Sequence, residues 1–111
     1  MGKLRQRHRF ILTSLILALL HEWTLGRNPK RDLDELNLTI QDVISTTLYL
    51  IRSRLVKPSV RNNGRIITTI YILNHPDSFR EADILTEKGR QTLDTISFED
   101  LVKRWLEWQD E

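Results

Sequence analysis

The amino-acid sequence predicts a single domain over residues 1–111, of the α+β class and mainly α-helical. Apolar residues recur at helical spacing in several segments, and an Asn-Gly pair stands between two strand-like segments. The chain has 40% hydrophobic and 29% charged residues, as is usual for a globular domain, and its 111 residues suffice to bury one core. It contains no cysteine, which excludes a disulfide and a thiolate metal site.

The first helix is predicted from about His8 to Trp23, after a basic N-terminal arm over residues 1–9. Charge followed by apolar residues is also typical of a secretory signal. The apolar run from Phe10 to Leu20 has 11 residues, however, whereas a membrane-spanning helix needs about 20, and no small-residue cleavage pattern follows it. We therefore predict a buried core helix in a cytoplasmic protein.

Two further helices are predicted before residue 55. Gly26 and Pro29 end the first helix, and a short second one is expected at about 31–37. The third is expected at about 40–54, opened by Thr39 and Asp42 at capping-box spacing. Its many β-branched residues leave a strand as the alternative, but the helical period favours a helix with an apolar arc and an opposite polar stripe. The arc comprises Val43, Ile44, Thr47, Leu48, Leu50, Ile51 and Leu55, and the stripe comprises Gln41, Ser45, Tyr49 and Arg52.

The segment after Pro58 has the period of β-strands. Strands are predicted over 56–61 and 65–73, on either side of Asn62-Asn63-Gly64. Asn-Gly supplies the positive φ angles that a tight hairpin turn requires. The sequence therefore predicts a β-hairpin whose second, apolar strand is largely buried.

Two helices are predicted after the hairpin. One starts near Thr86, and the last covers about 98–108, where Ser97 and Asp100 have near-capping-box spacing. The C-terminal helix, within residues 97–111, is also a candidate dimerisation element. Its apolar stripe comprises Phe98, Leu101, Val102, Trp105 and Trp108.

Three helices, a hairpin and terminal helices in this order form a winged helix-turn-helix pattern. The stretch LNLTIQDVISTTLYLIRSRLVKPSVRNNGRIITTIYILN resembles the recognition helix and wing of MarR-like and PadR-like transcriptional regulators, and LTEKGRQTL at 85–93 resembles the segment after their wing. Two features differ from those families: Arg54 stands where glycine is usual, and about eleven residues separate IYIL from LTEKG. The resemblance implies a small transcriptional regulator that binds double-stranded DNA sequence-specifically.

DNA binding is predicted to use the third helix in the major groove and the wing on the backbone or in the minor groove. The distribution of charge agrees: residues 1–65 contain 12 basic and 5 acidic residues, and residues 66–111 contain 5 and 10. The basic arm (Lys3, Arg5, Arg7 and Arg9) is a further candidate for phosphate contacts. The predicted DNA-binding residues are Gln41, Ser45, Tyr49, Arg52, Arg54, Lys57, Arg61, Asn62, Asn63, Arg65, Lys30 and Arg31.

A homodimer is the expected assembly, since one small domain reads few bases and a twofold dimer reads two half-sites. The first helix is apolar nearly all round, and the last helix carries a pair of tryptophans. The alternative is that these two helices pack on each other within one chain. The predicted dimerisation residues are Phe10, Leu15, Leu19, Trp23, Trp105 and Trp108.

An enzyme is not predicted. His8, His21 and His75 are scattered, and the chain has neither a Gly-rich phosphate loop nor convincing metal-ligand spacing. We therefore expect no catalytic residue, no metal and no cofactor. Two other functions stay open: a winged-helix module for protein–protein interaction, since a fold does not determine a function, and a peripheral membrane protein that uses the basic arm.

Overall fold

Five helices form most of the chain that the computed structural model describes, namely residues 6–58, 60–62, 65–67, 75, 80 and 82–109. The helices are α1 (Gln6–Thr24), α2 (Pro29–Glu35), α3 (Ile40–Arg52), α4 (Glu87–Asp94) and α5 (Phe98–Gln109). Between α3 and α4 lie two short strands, β1 (Val60–Asn62) and β2 (Arg65–Ile67).

The predicted α+β fold, a winged helix with a β-hairpin wing, is wrong, because helices make up the body of the domain. The described residues contain one antiparallel ladder of three residue pairs, which runs from Val60 opposite Ile67 to Asn62 opposite Arg65. The two strands have three described residues each, and the five helices make up the body of the described chain. The molecule is a helical domain.

Pairing near residue 56 shows why the predicted first strand does not form as a whole. Val56 makes an isolated antiparallel bridge with Leu85, just before α4, rather than extending the ladder. Pro58 follows, and proline has no N–H to donate to a ladder. Residues 68–73 of the predicted second strand lie outside the described residues.

Helix α1 lies at the centre of the domain, and α3, α4 and α5 all pack against it. Leu15, Ile16 and Leu19 have no exposed side-chain surface. Each fully buried side chain of this size contributes about 1.5–3 kcal/mol relative to an exposed one. The prediction of a buried core helix is confirmed. None of the described helices is long and apolar enough to cross a membrane.

The first three helices end in the same geometry, with a residue of positive φ just after the helix. These residues are Gly26 (φ 107°), Asn37 (φ 53°) and Arg54 (φ 61°). Gly26 has the role predicted from the sequence. The closing hydrogen bonds run from the backbone N–H of Arg27, Leu38 and Leu55 to the carbonyls of Glu22, Leu33 and Leu50, at N···O distances of 3.2, 2.9 and 2.9 Å.

Side-chain caps open the later helices. The predicted capping box of α3 is confirmed: the Asp42 N–H donates to Thr39 Oγ1 and the Thr39 N–H donates to Asp42 Oδ2, each at 3.0 Å. The Asp100 N–H donates to Ser97 Oγ at 3.3 Å, as the spacing predicts. These bonds satisfy N–H groups that a helix leaves free in its first turn.

Candidate nucleic-acid interface

Helix α3 has one buried and one exposed face. Val43 and Leu50 are completely buried against the core, and Thr46 and Thr47 are buried beside them. The stripe predicted to face solvent does so. Its members Gln41, Ser45, Tyr49 and Arg52 are all exposed.

The exposed face is also partly apolar. Ile40 is 53% exposed, Leu48 50% and Tyr49 56%. The prediction that Leu48 belongs to the buried apolar arc is therefore wrong. At about 100° per residue Leu48 lies within 20° of Gln41, so it belongs to the outer stripe.

The basic side chains around α3 fall into two groups. Arg52, Arg54 and Lys30 are exposed and form no ion pair with another residue of the described ranges. Arg31 Nε lies 2.9 Å from Glu35 Oε1, and this hydrogen bond lowers the pKa of the Glu35 carboxyl and raises that of Arg31. Three of the cations predicted to bind DNA are therefore free of ion pairs with described residues, whereas Arg31 is paired with the Glu35 carboxylate.

Lys57 is the other engaged cation. Its Nζ lies 2.7 Å from Asp83 Oδ2, and Arg90 Nη2 lies 2.5 Å from Asp83 Oδ1. The hydrogen bond from Lys57, followed by the one from Arg90, lowers the pKa of Asp83. Lys57 is thus held towards α4 and not towards the exposed face of α3.

The C-terminal end of α3 is held by α4. The Thr86 hydroxyl donates to the Arg54 carbonyl, and Lys88 Nζ donates to the Ser53 carbonyl at 3.3 Å. Gly89 packs so closely that a Cβ there would lie 2.1 Å from the Leu55 carbonyl oxygen. This contact gives a physical reason for the glycine in LTEKGRQTL.

The N-terminal side of α3 is held through the connection from α2. Trp105 Nε1 and Gln109 Nε2, both on α5, donate to the Leu36 carbonyl at 2.8 and 3.1 Å. Leu36 is the C-terminal cap of α2 and precedes α3 by four residues. Hydrogen bonds near both of its ends therefore hold α3 against the rest of the domain. They fix the orientation of its outer face.

The predicted basic tip is described only in its backbone. Arg61, Asn62 and Arg65 take part in the three-residue ladder, where Asn62 faces Arg65. Their side chains and the whole of Asn63 lie outside the described part of the chain, as do residues 1–5 of the basic arm.

The predicted dimerisation residues are mostly in the core of the single chain. Leu15, Leu19, Trp23 and Trp105 are between 0% and 4% exposed. Trp108 is half-buried, with its ring centroid 4.9 Å from that of Trp105. The apolar surface of α1 is thus largely covered within the chain.

Phe10 is the exception among the predicted dimerisation residues. Its side chain is 71% exposed, the largest value among the exposed large hydrophobic residues of the described part. It lies in the first half of α1, before the helix enters the core. Phe10 is therefore the predicted contact that is open to a second chain.

Asp32 is a buried carboxylate that was not predicted from the sequence. It is 1% exposed and accepts hydrogen bonds from Trp23 Nε1 and Arg27 Nε, each at 2.8 Å. Arg27 also lies over the Phe98 ring, 5.0 Å from its centroid. Acidic residues are common in the first turn of an exposed helix, so no local signal in the sequence distinguishes this carboxylate.

The described residues contain no group of three or more His, Cys, Asp or Glu side chains that could hold a metal ion. Comparisons of the chain with protein-family models, with curated proteins and with solved structures find no match. The function proposed below is therefore based on the geometry and charge of the described residues.

Proposed function

We propose that the protein binds double-stranded DNA through the exposed face of α3 and acts as a small cytoplasmic transcriptional regulator. The observation that carries the proposal is the two-faced character of α3. Val43 and Leu50 are fully buried, while Gln41, Ser45 and Arg52 point outward. A helix fits the major groove of B-form DNA, where each base pair presents a distinct pattern of donors and acceptors.

The outward side chains suit the reading of bases. Gln can donate to and accept from adenine, and Arg can donate two hydrogen bonds to guanine. Ser45 Oγ donates to the Gln41 carbonyl at 2.5 Å, which leaves its lone pairs free. We assign base contacts to Gln41 and Arg52, and a phosphate or base contact to Tyr49.

Cations that are not neutralised within the domain suit contacts with phosphate. Lys30 is in the first turn of α2 and Arg54 follows α3, and neither forms an ion pair within the described residues. Arg61 and Arg65, whose backbones belong to the three-residue ladder, are assigned phosphate contacts from the sequence alone. Contacts of this kind position a protein on the duplex and make its affinity depend on salt.

Fluorescence anisotropy with a random-sequence duplex across a salt series tests the proposal. We expect affinity to fall steeply with salt, and replacement of both Arg61 and Arg65 by alanine to reduce the slope by about 2. Lys103→Ala, at an exposed position of α5, is the matched control and leaves the slope unchanged. Absence of binding at the lowest salt concentration contradicts the proposal.

A protein-interaction module is the second candidate, favoured by the exposed Ile40, Leu48 and Tyr49. Apolar and aromatic side chains of this kind are enriched at the centres of protein interfaces. The same titration separates the two functions, because a protein-binding face of this composition gives no salt-dependent DNA affinity. Leu48→Ser would then weaken partner binding, because it removes an exposed apolar side chain from the centre of this face.

We further propose that the protein forms the homodimer expected from the sequence, and that Phe10 contributes to the contact between the two chains. Two copies of α3 would then read two half-sites. Light scattering of the wild-type chain and of Phe10→Ser tests this assembly. We expect the mass of a dimer for the wild type and a lower mass for the variant, and an unchanged mass argues against a contact through Phe10.

A further inference from the structure

A groove of about 760 Å³ lies away from the exposed face of α3, between the C-terminal parts of α1 and α4. Its volume is within the range of roughly 300–1,000 Å³ that is usual for small-molecule sites. Leu93, Ile96 and Phe98 contribute apolar surface to its walls, and each of them is only half-buried. The groove therefore has walls suited to an apolar or aromatic body.

Among the described residues that line the groove, carboxylates outnumber the basic side chains. Glu22, Asp83 and Asp94 contribute carboxylates, Arg90 is the only lysine or arginine of this described lining, and His21 also belongs to it. Arg27, which lies over the Phe98 ring, is paired with Asp32. Arg90 is paired with Asp83, as is Lys57. Glu22 and Asp94 form no ion pair with another described residue, so two carboxylates on the groove are not neutralised.

The helix directions add to the negative potential. Helix α1 ends at Thr24 and helix α4 ends at Asp94, and both of these residues line the groove. The last carbonyls of each helix point towards its C-terminal end, which carries a partial negative charge of about half an electron. Two helix C-termini and two free carboxylates thus meet at one apolar groove, in a chain whose formal net charge is +2.

We infer that this groove binds an amphipathic organic cation, with its apolar body against Leu93, Ile96 and Phe98 and its positive charge towards Glu22 and Asp94. This site is separate from the exposed face of α3. It stands whether or not the protein binds DNA, because it depends only on the lining of the groove.

Tetraphenylphosphonium and tetraphenylborate are suitable probes, because they have nearly the same shape and opposite charge. Isothermal titration calorimetry without DNA should show saturable binding of the phosphonium at one site and weaker binding of the borate. The overall charge of +2 attracts anions, so a preference for the cation has to come from local charge. Equal or stronger binding of the borate, or no binding of the phosphonium, overturns the proposal.

Charge-to-amide variants locate the site. Glu22→Gln and Asp94→Asn should each weaken phosphonium binding about fivefold, since each removes one partly exposed charge and little volume. Glu107→Gln changes an exposed acid of α5 outside the groove and should leave the affinity unchanged. Affinity that is unaffected by both groove variants, or that falls as much in Glu107→Gln, shows that the cation binds elsewhere.

Discussion

The residue that ends α3 adopts a conformation that most side chains avoid. Arg54 has φ 61°, and the following N–H, that of Leu55, donates to the Leu50 carbonyl at 2.9 Å to close the helix. A side chain with a Cβ costs roughly 1 kcal/mol in this left-handed region, whereas glycine occupies it without strain. Arg54 therefore makes a turn that glycine would make without strain, at some cost in stability.

Arg54→Gly should increase the free energy of unfolding by about 1 kcal/mol, because it relieves this backbone strain. Urea denaturation followed by tryptophan fluorescence measures the change. Arg52→Gly, inside the last turn of the same helix, is the matched control and should lower stability by about 1 kcal/mol. A loss of stability in Arg54→Gly would show that the positive φ is not strained.

Asp32 joins three helices through a buried carboxylate. Its oxygens accept from Trp23 on α1 and from Arg27, which in turn lies over Phe98 on α5. A buried charge is stable only when its partners are present, so removal of one partner leaves the others desolvated.

Asp32→Ala should lower the free energy of unfolding by about 3 kcal/mol, because it removes the carboxylate that accepts from the Trp23 indole N–H and pairs with Arg27. The denaturation midpoint in urea reports the effect. Asp34→Ala, at an exposed position of the same helix, should change stability by less than about 0.5 kcal/mol. Equal effects of the two substitutions would contradict a structural role for the buried cluster.

At the scale of elements, α4 fixes the end of α3. Gly89 lets the backbone of α4 approach the Leu55 carbonyl, and the Thr86 hydroxyl donates to the Arg54 carbonyl. The position of α3 therefore depends on a contact between segments more than thirty residues apart in the chain.

Gly89→Ala should destabilise the protein by about 1–3 kcal/mol, although alanine favours a helix by about 1 kcal/mol over glycine. The reason is that the new Cβ would meet a backbone oxygen at 2.1 Å, which cannot move without shifting α3 or α4. Thermal unfolding compares it with Gln91→Ala, an exposed change on the same helix. A rise in the melting temperature of Gly89→Ala would mean that the two helices separate at little cost.

The helices were predictable because their signals are local. Caps at Thr39 and Ser97, the break at Gly26 and the helical period all lie within a few residues of the feature they determine. The length of the paired strands was not predictable, because Val56 bridges to Leu85, a residue far along the chain. The local sequence around Val56 does not indicate that Val56 pairs with Leu85.

At the scale of the whole molecule, the burial of helix α1 determines which of its apolar residues are available for contact with another chain. The three surrounding helices cover α1, so Leu15, Leu19 and Trp23 belong to the core and not to a dimer contact. The sequence shows that α1 has excess apolar surface, but not which chain covers it. The outer stripe of α3 was predictable, since burial of its opposite face follows from the period of the apolar residues.

The central claim is that the outer face of α3 contacts DNA, and amide NMR chemical-shift mapping during titration with a duplex tests it most directly. We predict that the largest shifts occur at the amides of residues 40–54, with smaller shifts at the backbone of Arg61 and Arg65. The exposed amides of α5, which contributes no residue to this face, should change less than those of α3. Largest shifts on α5, or no shifts at low salt, would contradict the claim.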